Sequence, residues 1–334
     1  MKKINNKKVY YDKILLGDKM KNIKKVELHL HLDGSINKEY AEEILGENLN
    51  DKLIAKEKCR DLKEYLEKFD LPISILQTKE QLETFSFLLT KSLENDNVIY
   101  SEIRFCPLLH IKNNLSGEDV VESVLKGLRR NKKVKTNLIL CMMRHFSRED
   151  NEKVILLAEK YLNKGVVAID LAGDEAGYYN DLFEDLFIMA KNKNIPYTIH
   201  SGEAGTFKNV LLAVKYGAKR IGHGIKTIDD FDCLEEVINK KITLEICPTS
   251  NVQTNAIDSY LTHPIKELYD NGVLVTISTD NRTVSNITLQ KEYEKLQDAF
   301  GFSENDFINM NKNAINAAFI TEEEKSILIQ ELTK

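Results

Sequence analysis

Glu27-Leu28-His29-Leu30-His31-Leu32-Asp33-Gly34-Ser35 is the stretch on which the reading of this chain turns. Apolar and polar residues alternate along it, which predicts a β-strand, and residues two apart on a strand share a face. His29 and His31 therefore project side by side toward one point. Asp-Gly-Ser then marks a turn. Two convergent imidazoles at a strand end suit the first two ligands of a zinc site. The plainer alternative is a half-buried strand that carries two histidines, and His-x-His alone leaves both readings open.

Outward from this stretch, short apolar and β-branched runs recur. With Val26–Leu32 they are Ile99–Phe105, Leu138–Met143, Val166–Leu171, Pro196–His200, Arg220–Gly222, Ile242–Cys247 and Val273–Thr279. Amphipathic segments such as Val120–Leu128 and Asn151–Leu162 separate most of them. Strands that alternate with helices pair in parallel, because a parallel connection needs a crossover. Eight such units predict an α/β chain folded as a (β/α)8 TIM barrel over residues 26–334, with an open doubly wound sheet as the second choice. Residues 1–25 read as a lead-in segment that includes a helix. Extra helices are expected between the first and second strands. There Leu62, Tyr65, Leu66 and Phe69 recur at i, i+3, i+4 and i+7, an apolar helical stripe that packs on the core or covers the barrel mouth.

Composition narrows the function classes. The 334 residues are 42% hydrophobic and 30% charged, with a net charge of -5. That balance is globular and opposes a nucleic-acid binder, which carries a basic face. No apolar run approaches the ~20 residues of a membrane span. The Lys- and Asn-rich N-terminus lacks the apolar stretch of a signal peptide, so a cytoplasmic location is expected. Nothing in the sequence points to a protein partner. The cysteines Cys59, Cys106, Cys141, Cys233 and Cys247 are odd in number, far apart and without a C-x-x-C, which opposes a disulfide framework or a thiolate zinc site. Most are expected to be small buried residues on strands.

Polar residues gather at the C-terminal ends of the proposed strands. His29 and His31 end the first, Gly173-Asp174-Glu175 follows the fourth, and His200 ends the fifth in His200-Ser201-Gly202-Glu203. His223 lies between glycines after the sixth, and Asp280 ends the eighth. In a barrel this is the face where catalytic groups from different strands meet. Three imidazoles and a carboxylate are a ligand set for zinc, which must keep a position for water and lowers its pKa toward ~7. Glu203 and His223 are the candidates for moving a proton and orienting that water. Taken singly, each has a plainer role: a glutamate in a Gly-rich loop can be a cap, and a histidine between glycines can bond to backbone.

His29-Leu30-His31-Leu32-Asp33-Gly34, Leu171-Ala172-Gly173-Asp174-Glu175, His200-Ser201-Gly202-Glu203, Gly222-His223-Gly224 and Ser278-Thr279-Asp280 resemble the signature blocks of the adenosine deaminase family. Ile139–His145 and Cys247-Pro248-Thr249-Ser250-Asn251 resemble further blocks, all in family order. The resemblance implies one zinc ion per chain, held by His29, His31, His200 and Asp280. It implies that Glu203 protonates purine N1, that His223 orients or deprotonates the attacking water, and that Asp280 accepts a hydrogen bond from it. On the substrate side it implies His31, Asp33 at the ribose 5'-hydroxyl, the Gly173 amide at purine N3, and a gate helix bearing Leu62, Leu66 and Phe69. Tyr65 stands where phenylalanine is common. Asn281-Arg282 stands where many members carry Asp-Pro. Purine N7 only accepts, and the Asn281 amide can donate to it without a proton.

The implied activity is hydrolytic deamination of adenosine and 2'-deoxyadenosine in purine salvage, with a purine nucleoside as the small-molecule partner. Relatives that act on adenine commonly carry Glu in place of Asp33, and the shorter carboxylate leaves room for a sugar. Deamination of adenine or another adenine-bearing nucleoside is the alternative. An inactive binding paralogue is the more remote one, opposed by the presence of both Glu203 and His223.

Overall fold

The computed structural model describes residues 23–334, so all but the end of the expected lead-in segment lies outside the described residues. Eight strands appear among them: β1 Lys25–His31, β2 Val98–Phe105, β3 Lys135–Met143, β4 Val166–Ala172, β5 Thr198–Ser201, β6 Arg220–His223, β7 Thr243–Ile246 and β8 Leu274–Ile277. Each lies on one of the eight expected runs. Neighbours pair in parallel in two runs, β1 to β4 and β5 to β8. The runs join at both edges. Ile169 N–H donates to Pro196 O at 3.0 Å, while His31 N–H donates to Asp280 O at 2.8 Å and Asp280 N–H to His29 O at 3.1 Å. The sheet is thus a closed barrel, which excludes the open doubly wound sheet.

Strand parity sorts the side chains. Val26 and Leu28 of β1 point outward and pack with Ala314, Ile315 and Leu328 of the helices Glu304–Ala317 and Glu322–Leu332. Glu27, His29 and His31 take the opposite parity and enter the barrel. Several crossover helices begin at side-chain caps; Ser116 and Asp119 form a capping box on the helix Gly117–Leu128. Between β1 and β2 the chain forms the expected extra helices, Lys38–Leu45, Asn50–Leu53, Leu62–Leu66, Asp70–Ile75 and Lys79–Asn95. No helix among the described residues is long and apolar enough to cross a membrane.

The barrel floor is charged, whereas barrel interiors are commonly filled by branched apolar residues. Arg104 on β2 lies 2.9 Å from Asp170 on β4 and 2.8 Å from Glu245 on β7. Arg220 on β6 lies 2.6 Å from Glu245 and 2.5 Å from Glu102 on β2. All five side chains are fully buried. Burying one such charge alone is costly, but here each faces an opposite charge. Arg282 is also buried and pairs with Glu27 at 3.2 Å and Asp96 at 2.8 Å, which fastens the loop after β8. All five cysteines are free and buried, but only Cys141 lies within a strand. The expectation that most sit on strands is corrected: Cys106 and Cys247 fall just past strand ends, Cys59 in a loop and Cys233 on the helix Phe231–Asn239.

Candidate metal centre and active site

Two of the three histidines at the mouth are oriented by carboxylates from the floor. His29 Nδ1 is 3.0 Å from Glu245 Oε2, and His200 Nδ1 is 2.9 Å from Asp170 Oδ2. Each ring then carries its proton on Nδ1 and turns the Nε2 lone pair inward, as a metal-ligating histidine does. His29 Nε2 is buried without a protein hydrogen-bond partner. His31 Nε2 lies 3.2 Å from His200 Nε2, and Asp280 Oδ1 lies 3.4 Å from Nε2 of both His29 and His31. Burial, aided by Arg104, lowers the His29 pKa to about 4, and burial also holds that of His31 well below its usual value. Ligating histidines must be neutral. Against the lowering effect of burial, Asp170 raises the His200 pKa instead, yet imidazole nitrogens this close to one another and to a carboxylate fit a divalent cation, and the four donor atoms lie within 4.8 Å of one another.

Glu203 and His223 flank this cluster. His223 Nε2 is 3.4 Å from Glu203 Oε2, and Glu203 Oε1 accepts from Thr254 Oγ1 at 2.9 Å. Burial raises the Glu203 pKa above its ordinary value, against the lowering pull of His223. A buried carboxyl whose pKa is raised holds its proton more firmly, which suits a general acid. The loop carrying Glu203 is held by Glu175, whose carboxylate accepts from the amides of Gly202 at 2.6 Å, Glu203 at 2.9 Å, Ala204 at 3.0 Å and Gly205 at 2.9 Å. His223 and Asp280 both adopt left-handed backbone, with φ of 61° and 60°. Such strain in non-glycine residues gathers at functional sites.

The remaining expected site residues line the cavity above. Asp33, Leu62, Leu66, Phe69, Gly173 and Asn281 face it together with His31, His200, Glu203, His223 and Asp280. His29 sits beneath them. Asp33 Oδ1 is 3.3 Å from His110 Nε2, and His110 Nδ1 lies 3.0 Å from Leu76 O. Asn281 packs on Gly34, where a Cβ would fall 1.9 Å from Asn281 Oδ1. Asn281 Nδ2 donates to Tyr65 Oη at 3.0 Å, and Tyr65 Oη lies 2.7 Å from Ser285 Oγ. The helix Leu62–Leu66 therefore borders the cavity and does not only pack on the core. The residues that hold these side chains in place were missed from sequence: Asp170, Glu245, Arg104, Thr254 and His110 were not singled out, and Glu175 and Asn251 were noted only within their motifs, without a role. For Asp170, Glu245 and Arg104 there was a usable signal, a charge inside an apolar strand run at the inward parity.

A closed parallel barrel with these ligands at the C-terminal mouth of its strands defines a metal-dependent hydrolase of the amidohydrolase kind. The family model for adenosine deaminase matches residues 24–334, and the chain belongs to the adenosine deaminase family. It is 40% identical to an adenosine deaminase of Clostridium acetobutylicum over 93% of this chain and 97% of that one. It is 38% identical to an adenosine deaminase of Enterococcus faecalis over 94% of this chain and 97% of that one. Among solved structures it resembles an N6-methyl-AMP deaminase from Arabidopsis thaliana, with a TM-score of 0.85 at 25% identity, covering 95% and 98% of the two chains.

Proposed function

We propose that this enzyme hydrolyses adenosine and 2'-deoxyadenosine to inosine and 2'-deoxyinosine, releasing ammonia, with one zinc ion per chain. One observation carries the reading: three imidazoles and Asp280 converge beside a buried Glu203, with Asp33 in the wall of the same cavity. The donor set of three nitrogens and one oxygen suits zinc, which when bound lowers the pKa of a water toward ~7 and so supplies a nucleophile at neutral pH. The protein residues do the rest. Glu203 delivers its proton to purine N1, which makes C6 electrophilic, and the C6 amino group leaves as ammonia. His223 and Asp280 orient the attacking water. The Gly173 amide and Asn281 hold N3 and N7, and Asp33 holds the 5'-hydroxyl. Leu62, Leu66 and Phe69 cover the base and exclude water. Purine salvage is the process this reaction serves.

A nucleoside suits the cavity better than a nucleotide. Among the described residues its lining includes the carboxylates Asp33, Asp70 and Asp174 and no lysine or arginine. A 5'-phosphate placed against Asp33 meets like charge with no compensating cation. Loss of adenosine absorbance with the zinc-loaded protein, and inosine as the product, is the expected result. Turnover of adenine or AMP in preference to adenosine overturns the nucleoside assignment, and no turnover of any of the three overturns the activity.

A further inference from the structure

Asn251 is fully buried and touches both acid–base residues at once. Its Nδ2 lies 3.3 Å from Glu203 Oε1 and 3.0 Å from His223 Nδ1. Which way round this amide sits decides what His223 can do. A ring nitrogen facing NH2 must accept, and one facing a carbonyl must donate. The two ends of the amide have nearly the same shape, so the surrounding hydrogen bonds have to choose between them.

His263 makes that choice. The backbone N–H of Ile265, which can only donate, points at His263 Nδ1 from 3.1 Å. Burial, with a further contribution from His223, lowers the His263 pKa to about 3, so the ring is neutral at physiological pH and its one proton sits on Nε2. That Nε2 lies 3.3 Å from Asn251 Oδ1. The Asn251 carbonyl is therefore turned to His263, and its NH2 to Glu203 and His223. A reversed amide would set two donors face to face against His263 and two acceptors together at any ionised Glu203. Thr254, which donates to the same Glu203 oxygen, leaves the orientation undisturbed.

We propose that His263 is a positioning residue that, through Asn251, holds His223 as the Nε2–H tautomer and so presents it to the attacking oxygen as a hydrogen-bond donor. This rests on the deaminase reading and narrows it. In that tautomer the Asn251 amide engages the ring lone pair at Nδ1, so the Nε2–H orients the attacking oxygen and the proton of the water goes to the Asp280 carboxylate.

The test combines a tautomer measurement with kinetics. In protein labelled with 15N-histidine, the His223 ring signals, assigned by their loss in His223→Gln, are expected to show a proton on Nε2. His263→Gln keeps a donor near Asn251 Oδ1, and is expected to keep that tautomer and most of kcat. His263→Met, of similar size but without a donor, is expected to admit the Nδ1–H form and to lower kcat about tenfold or more while KM stays within about twofold. Asn251→Leu is expected to lose the preference as well, and serves if His263→Met does not fold. Nδ1–H in the wild type overturns the proposal. So does a single Nε2–H form retained in His263→Met or Asn251→Leu, whatever the kcat. The spectra need no substrate, so a protein with the expected tautomer but no adenosine turnover refutes the deaminase reading alone.

Discussion

The side-chain amide of Asn281 donates to Tyr65 Oη across 3.0 Å, tying the loop after β8 to the helix over the cavity. Both residues depart from the pattern the chain resembles, and they touch each other. Tyr65→Phe should free the amide and loosen the helix while leaving the metal ligands in place. A hydrogen bond of this kind is worth about 0.5–1.5 kcal/mol, so KM for adenosine should rise roughly two- to tenfold with little change in kcat. Steady-state kinetics check this; an unchanged KM would mean that the contact does not reach the substrate.

Glu203→Gln should lower kcat by about 10²–10⁴-fold with metal content unchanged, since the amide keeps the shape but delivers no proton. The pH dependence has a definite sign. Burial raises the Glu203 pKa, and the protonated form is the active one. Activity should therefore persist above the usual carboxylate range and fall as pH rises through the raised value. The variant's residual activity should lack that alkaline limb. A variant with near-normal kcat would show that the acid lies elsewhere.

Asp33→Ala should cut kcat/KM for adenosine roughly ten- to a hundredfold, the loss of a hydrogen bond to a charged partner of about 1.5–3 kcal/mol. On 5'-deoxyadenosine, which already lacks the hydroxyl, the same change should matter little. Equal losses on both substrates would give Asp33 a structural role, for example through His110.

Removal of the metal by a chelator should abolish turnover, and re-addition of one equivalent of zinc per chain should restore it. The loaded protein should also be more stable, by about 4 kcal/mol at a free metal concentration near a thousand times Kd. Elemental analysis showing two ions in active protein would contradict the single site.

Arg282→Ala should destabilise the fold by roughly 3–5 kcal/mol, because Glu27 and Asp96 would remain buried without their cation. Denaturant unfolding measures this, and a loss below about 1 kcal/mol, the value of an exposed pair, would assign the arginine to the surface class.

The barrel was legible because parallel strands buried on both faces read as apolar runs, and eight of them survive as strands. Their ends shifted by up to three residues, since a strand stops where its neighbour stops pairing. His29, His31, His200 and Asp280 were legible as candidates because each lies in, or just past, the C-terminal part of a strand. Asn251, Thr254, His110 and His263 were not. They sit on loops and short helices, where no periodicity says which polar side chain turns inward. Glu175 was visible only as part of an acidic pair, and its four amide contacts depend on a loop conformation that sequence does not display.

The seam between β1 and β8 runs through three of the four proposed metal ligands, by way of the backbone bonds of His29 and His31 to Asp280. These residues are separated by about four-fifths of the described chain. Their meeting is among the contacts of highest sequence separation, and such contacts are costly in chain entropy and slow to form. The centre cannot exist in a partly assembled barrel, because completing the ligand set and joining the first strand to the last are the same event. A bound cation would act as a clasp across that junction. The rate at which the denatured chain regains tight metal binding should then report the final step of folding, and a circular permutant opened at a distant surface loop should keep the clasp while changing the order in which its two halves arrive.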